Sequence, residues 1–152
     1  MRSRLVAKVK FSIIMPVYNG EKYIAQSIQC VKAQTYANWE LMIIDDGSTD
    51  GSGVIVQKYA QEDERIRYHK QENTGVSGAR NKALELIEGD YVIFLDADDE
   101  LQKNILDILV QTLQANNVDI AVYNASRSPF DATRLIPFTV PFSDSPLLID
   151  SE

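Results

Sequence analysis

The stretch Tyr91-Val-Ile-Phe-Leu-Asp-Ala-Asp-Asp-Glu100 decides the fold. Residues 91–95 form an uninterrupted apolar run of strand-forming types, the pattern of a strand buried on both faces, and the run stops at Asp96, Asp98, Asp99 and Glu100. A buried strand thus delivers a knot of carboxylates at its carboxyl end. In open α/β sheets that is the edge where ligands sit. Closely spaced acidic side chains repel one another unless solvent or a cation compensates. Oxygen ligands of this kind suit a hard divalent ion such as Mg²⁺ or Mn²⁺ that also holds a phosphate. A plainer reading, an acidic loop with Asp99 or Glu100 capping the next helix, suits Glu100 better than Asp96 or Asp98.

Upstream, Phe11-Ser-Ile-Ile-Met-Pro-Val17 reads as a first strand, ended by Pro16, with Tyr18-Asn-Gly20 as a turn. A helix is expected over residues 21–34, where Ile24, Ile28 and Val31 make one apolar stripe, Glu21 favours the first turn and Cys30 belongs to the helix core. Trp39-Glu-Leu-Met-Ile-Ile-Asp45 is a second strand, and Asp45-Asp-Gly-Ser-Thr-Asp-Gly51 an oxygen-rich turn in which Ser48, Thr49 or Asp50 can serve as the N-cap of a short helix through Val54, Ile55, Val56 and Tyr59. Residues 65–70 alternate as a less buried strand; His69, the only histidine, receives no role there. Asn73-Thr-Gly-Val-Ser-Gly-Ala-Arg-Asn81 is a glycine-bearing loop entering a helix with an apolar face of Val76, Ala79, Ala83, Leu86 and Ile87. Arg80, early in that helix, is placed to reach a phosphate or to remain a solvated surface arginine.

Downstream, Leu101, Ile105, Ile108, Leu109 and Leu113 mark an amphipathic helix ending near Asn116-Asn117, and residues 118–123 a fifth strand. Strands alternating with helices predict an α/β, Rossmann-like fold: a mainly parallel central sheet with helices on both faces. The chain divides into an N-terminal extension over residues 1–10, an α/β domain over 11–124 and a proline-rich tail over 125–152. Four of the five prolines follow residue 128, and Leu135-Ile-Pro-Phe-Thr-Val-Pro-Phe142 cannot make a regular central strand. The tail reads as the start of a further region.

Composition narrows the function. A net charge of −7 argues against a nucleic-acid or anionic-membrane surface, both of which normally meet a basic face. One cysteine excludes an internal disulfide and a cysteine-based metal site and fits a reducing compartment. Neither a signal-peptide core nor a membrane-length apolar run is present, so a cytoplasmic location is expected, with any peripheral attachment at the inner membrane face supplied by segments beyond this chain. The loop at 73–81 has neither Gly-Lys-Ser/Thr nor the dinucleotide fingerprint, which counts against a P-loop NTPase and a nicotinamide dehydrogenase.

Strand ends at Pro16-Val-Tyr-Asn19, Asp45-Asp-Gly-Ser48 and Asp96-Ala-Asp-Asp99 would meet on one edge of a parallel sheet. With Asn73–Asn81 they make the sequence resemble the nucleotide-diphosphate-sugar glycosyltransferases of family 2, which have the GT-A fold, over residues 11–123. The resemblance implies that the backbone of Pro16, Val17 and Tyr18, together with Asp46, holds the nucleoside, Asp46 accepting a hydrogen bond from the base. Asp45 supports the turn and Arg80 contacts phosphate or base. Asp96 and Asp98 match the D-x-D pair: Asp98 ligates Mn²⁺ or Mg²⁺ bridging the diphosphate, while Asp96 lies on the ribose side and can reach the metal through water. Asp99 and Glu100 fall to the helix start. The implied donor is a nucleoside-diphosphate sugar, with UDP favoured, and the implied acceptor a glycan or lipid-linked glycan. Inverting transfer needs an Asp or Glu base beyond the D-x-D. Asp131, Asp144, Asp150 and Glu152 match no base motif, so the catalytic base stays unassigned and the chain is expected to be the donor-binding part of a longer enzyme.

Two alternatives remain at this point. A non-catalytic sugar-nucleotide-binding module would need no base. A metal-dependent phosphatase with an Asp nucleophile also has Asp-x-Asp after an apolar strand, but on its first strand and before Gly-Thr/Val, whereas here the motif is on the fourth and precedes Asp-Glu. A phosphorylatable receiver domain lacks its later lysine context.

Overall fold

Apolar runs of β-branched residues alternating with helical-period stretches give the observed order of elements. The computed structural model describes residues 8–116: β1 (Phe11–Val17), α1 (Ile24–Lys32), β2 (Trp39–Asp45), α2 (Ser52–Glu62), β3 (Ile66–Lys70), α3 (Gly75–Leu84), β4 (Tyr91–Phe94) and α4 (Ile105–Asn116). The four strands form one sheet, ordered β3-β2-β1-β4, in which every pair is parallel. The expected fifth strand and the proline-rich tail lie outside the described residues, as do residues 1–7. One compact unit ends at Leu106 and a second begins at Asp107, within α4.

Helices cover both faces of the sheet. On one face Ile14, Met42 and Ile44 pack against Ala79 and Ala83 of α3, with Leu86 and Ile87 at the margin. On the other, Gly53 of α2 lies against Tyr68 and Asp45, and α1 packs beside α2. Every residue of β2 is buried, and so is all of β1 but the half-buried Pro16. The stripe of Ile24, Ile28 and Val31 along α1 is fully buried as the spacing predicts.

β4 departs from the expectation drawn from its sequence. Ile93 and Leu95 are buried, but Val92 and Phe94 are 38% and 48% exposed. Among the described residues β4 pairs only with β1, and α3 sits over β1 and β2, so one face of β4 is left uncovered. A continuous apolar run shows that both faces can be buried; which helix covers which strand decides whether they are.

The amino-terminal edge of the sheet is held by a buried carboxylate. Glu40, 4% exposed, accepts the Ser12 hydroxyl and the Glu88 N–H on Oε1, each at 2.6 Å, and lies 3.3 Å from both Lys10 Nζ and Arg67 Nη1 on Oε2. Burial pushes this carboxyl up, but the hydrogen bonds from Ser12, Glu88 and Lys10 and the lysine charge outweigh it and hold it below the usual carboxylate value. Gly89 is required beside it: a Cβ there would sit 2.5 Å from Ser12 Oγ, to which the Gly89 N–H donates at 2.8 Å. The network fastens the loop before β4 to β1 and β2 and so fixes where β4 begins.

Candidate functional site

Parallel pairing brings the ends of β1, β2 and β4 to one edge. Val17 pairs with Asp45 and Ile14 with Phe94, the Asp46 N–H donates to Val17 O at 2.9 Å, and the Leu95 N–H donates to Ile14 O at 2.9 Å. The residues after these strands surround a cavity of about 350 Å³ lined by Pro16, Val17, Tyr18, Asn19, Gly20, Tyr23, Asp46, Val76, Asp96, Ala97 and Asp98. Six of the sequence-predicted site residues, Pro16, Val17, Tyr18, Asp46, Asp96 and Asp98, therefore line one cavity, and Arg80, outside the lining, joins it through Asp96. A larger groove, about 710 Å³, lies between α1 and α2 but gathers no comparable set of carboxylates.

The loops that frame this cavity are bonded to each other. Asn19, at φ 50°, takes the left-handed conformation that asparagine tolerates, and its side chain accepts the Thr49 N–H at 2.9 Å. Ser48 Oγ accepts the Asn19 N–H, Ser52 Oγ the Gly20 N–H and Asp50 the Glu21 N–H, while Glu21 in return accepts the Gly51 N–H. Two expectations change here. Glu21 lies outside α1, which begins only at Ile24, and its carboxylate works between loops. The N-cap residue of α2 is Gly51, one position later than expected, but Asp50 does serve the helix start, its Oδ1 accepting the Ser52 N–H at 3.0 Å, while Ser48 and Thr49 join the β2–α2 turn to the β1–α1 turn.

The two adjacent aspartates at the end of β2 do different work. Asp45, fully buried, accepts the Ser48 N–H on Oδ1 and the Tyr68 hydroxyl on Oδ2, both at 2.7 Å, and so supports the turn as expected. Burial first, and then this contact with Asp45, push the Tyr68 hydroxyl well above its ordinary value, so it stays a donor. Asp46 turns the other way. Its Oδ1 accepts the Gln71 amide at 2.8 Å, the Thr74 N–H at 2.8 Å and the Thr74 hydroxyl at 3.2 Å, while Oδ2 accepts the Gly75 N–H at 2.8 Å. Burial pushes the Asp46 carboxyl up; the four donors overcome this and hold it below the usual value. With a single donor on Oδ2, that oxygen retains capacity for one more. Gly47, at φ 83°, is obligatory beside it: a side chain would be strained and would meet Asn73 N at 3.1 Å.

Arg80 reaches the acidic turn. Its Nη2 donates to Asp96 Oδ1 at 2.7 Å, and its guanidinium lies 5.5 Å from the Phe94 ring centre. Asp98 is exposed. The Asp99 carboxyl is pushed above the usual value by partial desolvation first and then by its neighbours Asp98 and Asp96, so the carboxylates of the turn repel one another although Asp96 is paired with Arg80. Asp99 and Glu100 do not start a helix: α4 begins at Ile105, the Asp99 N–H closes a turn onto Asp96 O at 3.0 Å, and Glu100 accepts Gln26 Nε2.

A divalent metal fits this donor set in one particular way. Among the described residues no three carboxylate, histidine or cysteine side chains converge as an all-protein metal site. One exposed aspartate, a second one paired to an arginine and surplus negative charge suit an ion that keeps some water and takes its remaining oxygens from a phosphate. Asp98 offers an exposed carboxylate, and Asp96, which gives Oδ1 to Arg80, keeps Oδ2 for a further contact.

Several site residues were not foreseen in the sequence. Val76, placed by its spacing on the core face of α3, is 51% exposed and lines the cavity, because the first turn of that helix overhangs the strand ends. Tyr23, 55% exposed, lines it as well. Gln71, Thr74 and Gly75 hold Asp46 from the β3–α3 loop, a contact across 25 to 29 residues that no local pattern announces.

Comparison with known proteins bears on the family and the fold. The family model described as Glycosyl transferase family 2 matches residues 12–139. Glycosyltransferase GlyA of Streptococcus pneumoniae is 41% identical over 115 residues, covering 76% of this chain and 16% of GlyA. The crystal structure of S. aureus TarS in complex with UDP-GlcNAc superposes with a TM-score of 0.67 at 33% identity, over 71% of this chain and 32% of that one. A mannosyltransferase, PcManGT from Pyrobaculum calidifontis, in complex with GDP-Man and Mn²⁺, superposes with a TM-score of 0.58 at 27% identity, over 68% of this chain and 31% of that one. The chain thus spans about a sixth to a third of the length of these relatives.

Proposed function

The chain belongs to glycosyl transferase family 2, and from that premise we propose that its strand-end cavity binds a nucleoside-diphosphate sugar, a UDP-sugar by preference, for inverting transfer of the sugar to a glycan or lipid-linked acceptor. The observation that carries this reading is the convergence of Asp46, Asp98 and the Arg80–Asp96 pair on one cavity beside the Pro16-Val17-Tyr18 backbone. Each group has a distinct task. Asp46, clamped by the β3–α3 loop, presents the spare capacity of Oδ2 to an N–H of the base. The exposed ring of Tyr18 offers a flat apolar surface beside it. Asp98 would hold Mn²⁺ or Mg²⁺ against the diphosphate, and Asp96 would face the ribose. A bound dication would offset the charge growing on the departing diphosphate.

In the transfer, the acceptor oxygen bonds to the anomeric carbon as the bond from that carbon to the diphosphate breaks, and a carboxylate base takes the hydroxyl proton. No described residue is assigned as that base, and Asp131, Asp144, Asp150 and Glu152 lie outside the described residues. TarS with UDP-GlcNAc supports a uracil nucleotide, and PcManGT with GDP-Man and Mn²⁺ supports the metal. No helix among the described residues is long and apolar enough to cross a membrane, which is compatible with a cytoplasmic donor site.

Thermal unfolding of the chain with UDP or GDP, with and without Mn²⁺, tests the reading. The expected result is stabilisation by UDP that requires the metal. Phosphate release from small esters, indifferent to nucleotide, would mean an Asp-nucleophile phosphatase and would overturn the proposal.

A further inference from the structure

The segment from Ala97 to Asn104, between β4 and α4, is irregular, yet its backbone is held by α1 and the residues just beyond it. Ser27 Oγ donates to Ala97 O at 2.7 Å. The Leu101 N–H donates to Cys30 Sγ at 3.3 Å, Gln34 Nε2 donates to Gln102 O at 2.8 Å and the Thr35 N–H donates to Lys103 O at 3.0 Å. Ser27, Cys30 and Gln34 recur at helical spacing, so one polar stripe beside the apolar one serves this segment throughout.

Ser27 differs from the others in what it holds. It is 1% exposed and lies beside the buried Ile28 and Ile24, where an apolar side chain would avoid the penalty of burying a hydroxyl. The carbonyl it binds belongs to the residue between Asp96 and Asp98. That bond fixes the peptide plane joining Ala97 to Asp98 and with it the position of the Asp98 Cα; the turn that the Asp99 N–H closes on Asp96 O then restrains the direction in which the side chain leaves.

We propose that Ser27 is a positioning residue for the acidic turn: through Ala97 O it holds Asp98 in the orientation that accepts a divalent cation with a nucleoside diphosphate. This rests on the reading that Asp98 is the metal ligand, and it assigns a part of the donor site to a buried helix residue that need touch neither ligand.

The test compares Ser27→Ala, and the isosteric pair Ser27→Thr and Ser27→Val, in the 152-residue chain by titration calorimetry. Mn²⁺ with UDP and metal-free uridine are the two probes. Ser27→Ala should weaken binding of Mn²⁺ with UDP by roughly 10–100-fold, the range seen when a group that orients a metal ligand is lost. Uridine affinity, which depends on the Asp46 side of the cavity, should not change. Ser27→Thr should bind as the wild type does and Ser27→Val as Ser27→Ala does, a contrast that survives even if the smaller side chain unfolds the protein. Equal Mn²⁺-dependent affinity in Ser27→Val and Ser27→Thr overturns the positioning role alone. Failure of the wild type to bind UDP with Mn²⁺ is a different result, and it overturns the donor-site reading together with this one.

Discussion

Arg80 and Asp96 are bound to each other, Nη2 to Oδ1 at 2.7 Å, and they are the cation and the anion expected to meet opposite parts of one ligand. Their side chains are 34% and 50% exposed, so the pair adds only about 0–1 kcal/mol to stability. Its meaning lies in exchange: a bound diphosphate would offer Arg80 a stronger anion and release Asp96 towards ribose or metal. Arg80→Ala should leave the melting temperature nearly unchanged while lowering affinity for UDP with Mn²⁺ by roughly tenfold or more, the worth of a hydrogen bond to a charged group. Arg80→Lys should restore it only in part, because an ammonium cannot reproduce the planar fork. Equal nucleotide affinity in all three proteins would remove Arg80 from the site.

Asp98 is exposed on the surface of the turn, so Asp98→Ala should shift the stability of the ligand-free chain by no more than about 0.5 kcal/mol. Its effect should appear only with ligand. At a UDP concentration of about 100 times Kd, binding adds roughly 2.7 kcal/mol to the native state, and in Asp98→Ala this metal-dependent gain should vanish from the melting curve. Retention of the gain would mean that the metal is held elsewhere.

Asp46 should behave in the opposite way, because its carboxylate is part of the fold. Asp46→Asn turns an amide N–H₂ towards a shell made of donors from Gln71, Thr74 and Gly75. A loss of about 2–3 kcal/mol is expected, read as a lower urea midpoint at unchanged slope, with faster hydrogen exchange at the Thr74 and Gly75 amides. Uridine binding should fall in the same variant. A variant with native stability would show that the β3–α3 loop does not depend on this carboxylate.

Acid should weaken the protein through Glu40 and Asp46. Both carboxyls are held below their ordinary values, so each contributes stability that is present above the unfolded-state value, about 4, and is lost as pH falls through the lower folded-state value. Glu40→Gln should cost about 1–3 kcal/mol near neutral pH, since Lys10 and Arg67 keep some solvent while Ser12 and the Glu88 N–H lose a charged acceptor. Its acid limb, measured by urea unfolding between roughly pH 6 and pH 3, should be shallower than that of the wild type. Parallel limbs would exclude Glu40 as a source of the acid sensitivity.

The sequence made the sheet legible because period and residue type are local. The runs in β1 and β2 are buried at every residue but Pro16, and Ile24, Ile28 and Val31 mark the hidden stripe of α1. Local patterns also located the acidic turn, since a run that ends in carboxylates is visible without knowing its neighbours. What could not be read was anything decided by a neighbour. Val92 and Phe94 have the composition of a covered strand and lie uncovered; Val76 has the spacing of a core residue and overhangs the cavity; Glu21 has the position of a helix-start acid and binds the Gly51 N–H. The link from Ser27 to Ala97 spans 70 residues and leaves no local trace.

The two edges of the sheet should therefore answer the same chemical change with opposite signs. At the Glu40 edge negative charge is enclosed with its own cations and donors, and neutralising it removes support. At the edge bearing Asp98 and Asp99 the charges crowd one another, and neutralising one removes repulsion. Asp99→Asn should accordingly raise the melting temperature of the ligand-free chain, and added salt should shrink that gain by screening. Among the described residues, the buried charge where the strands begin already has its partners, whereas the carboxylates where β4 ends still favour a cation.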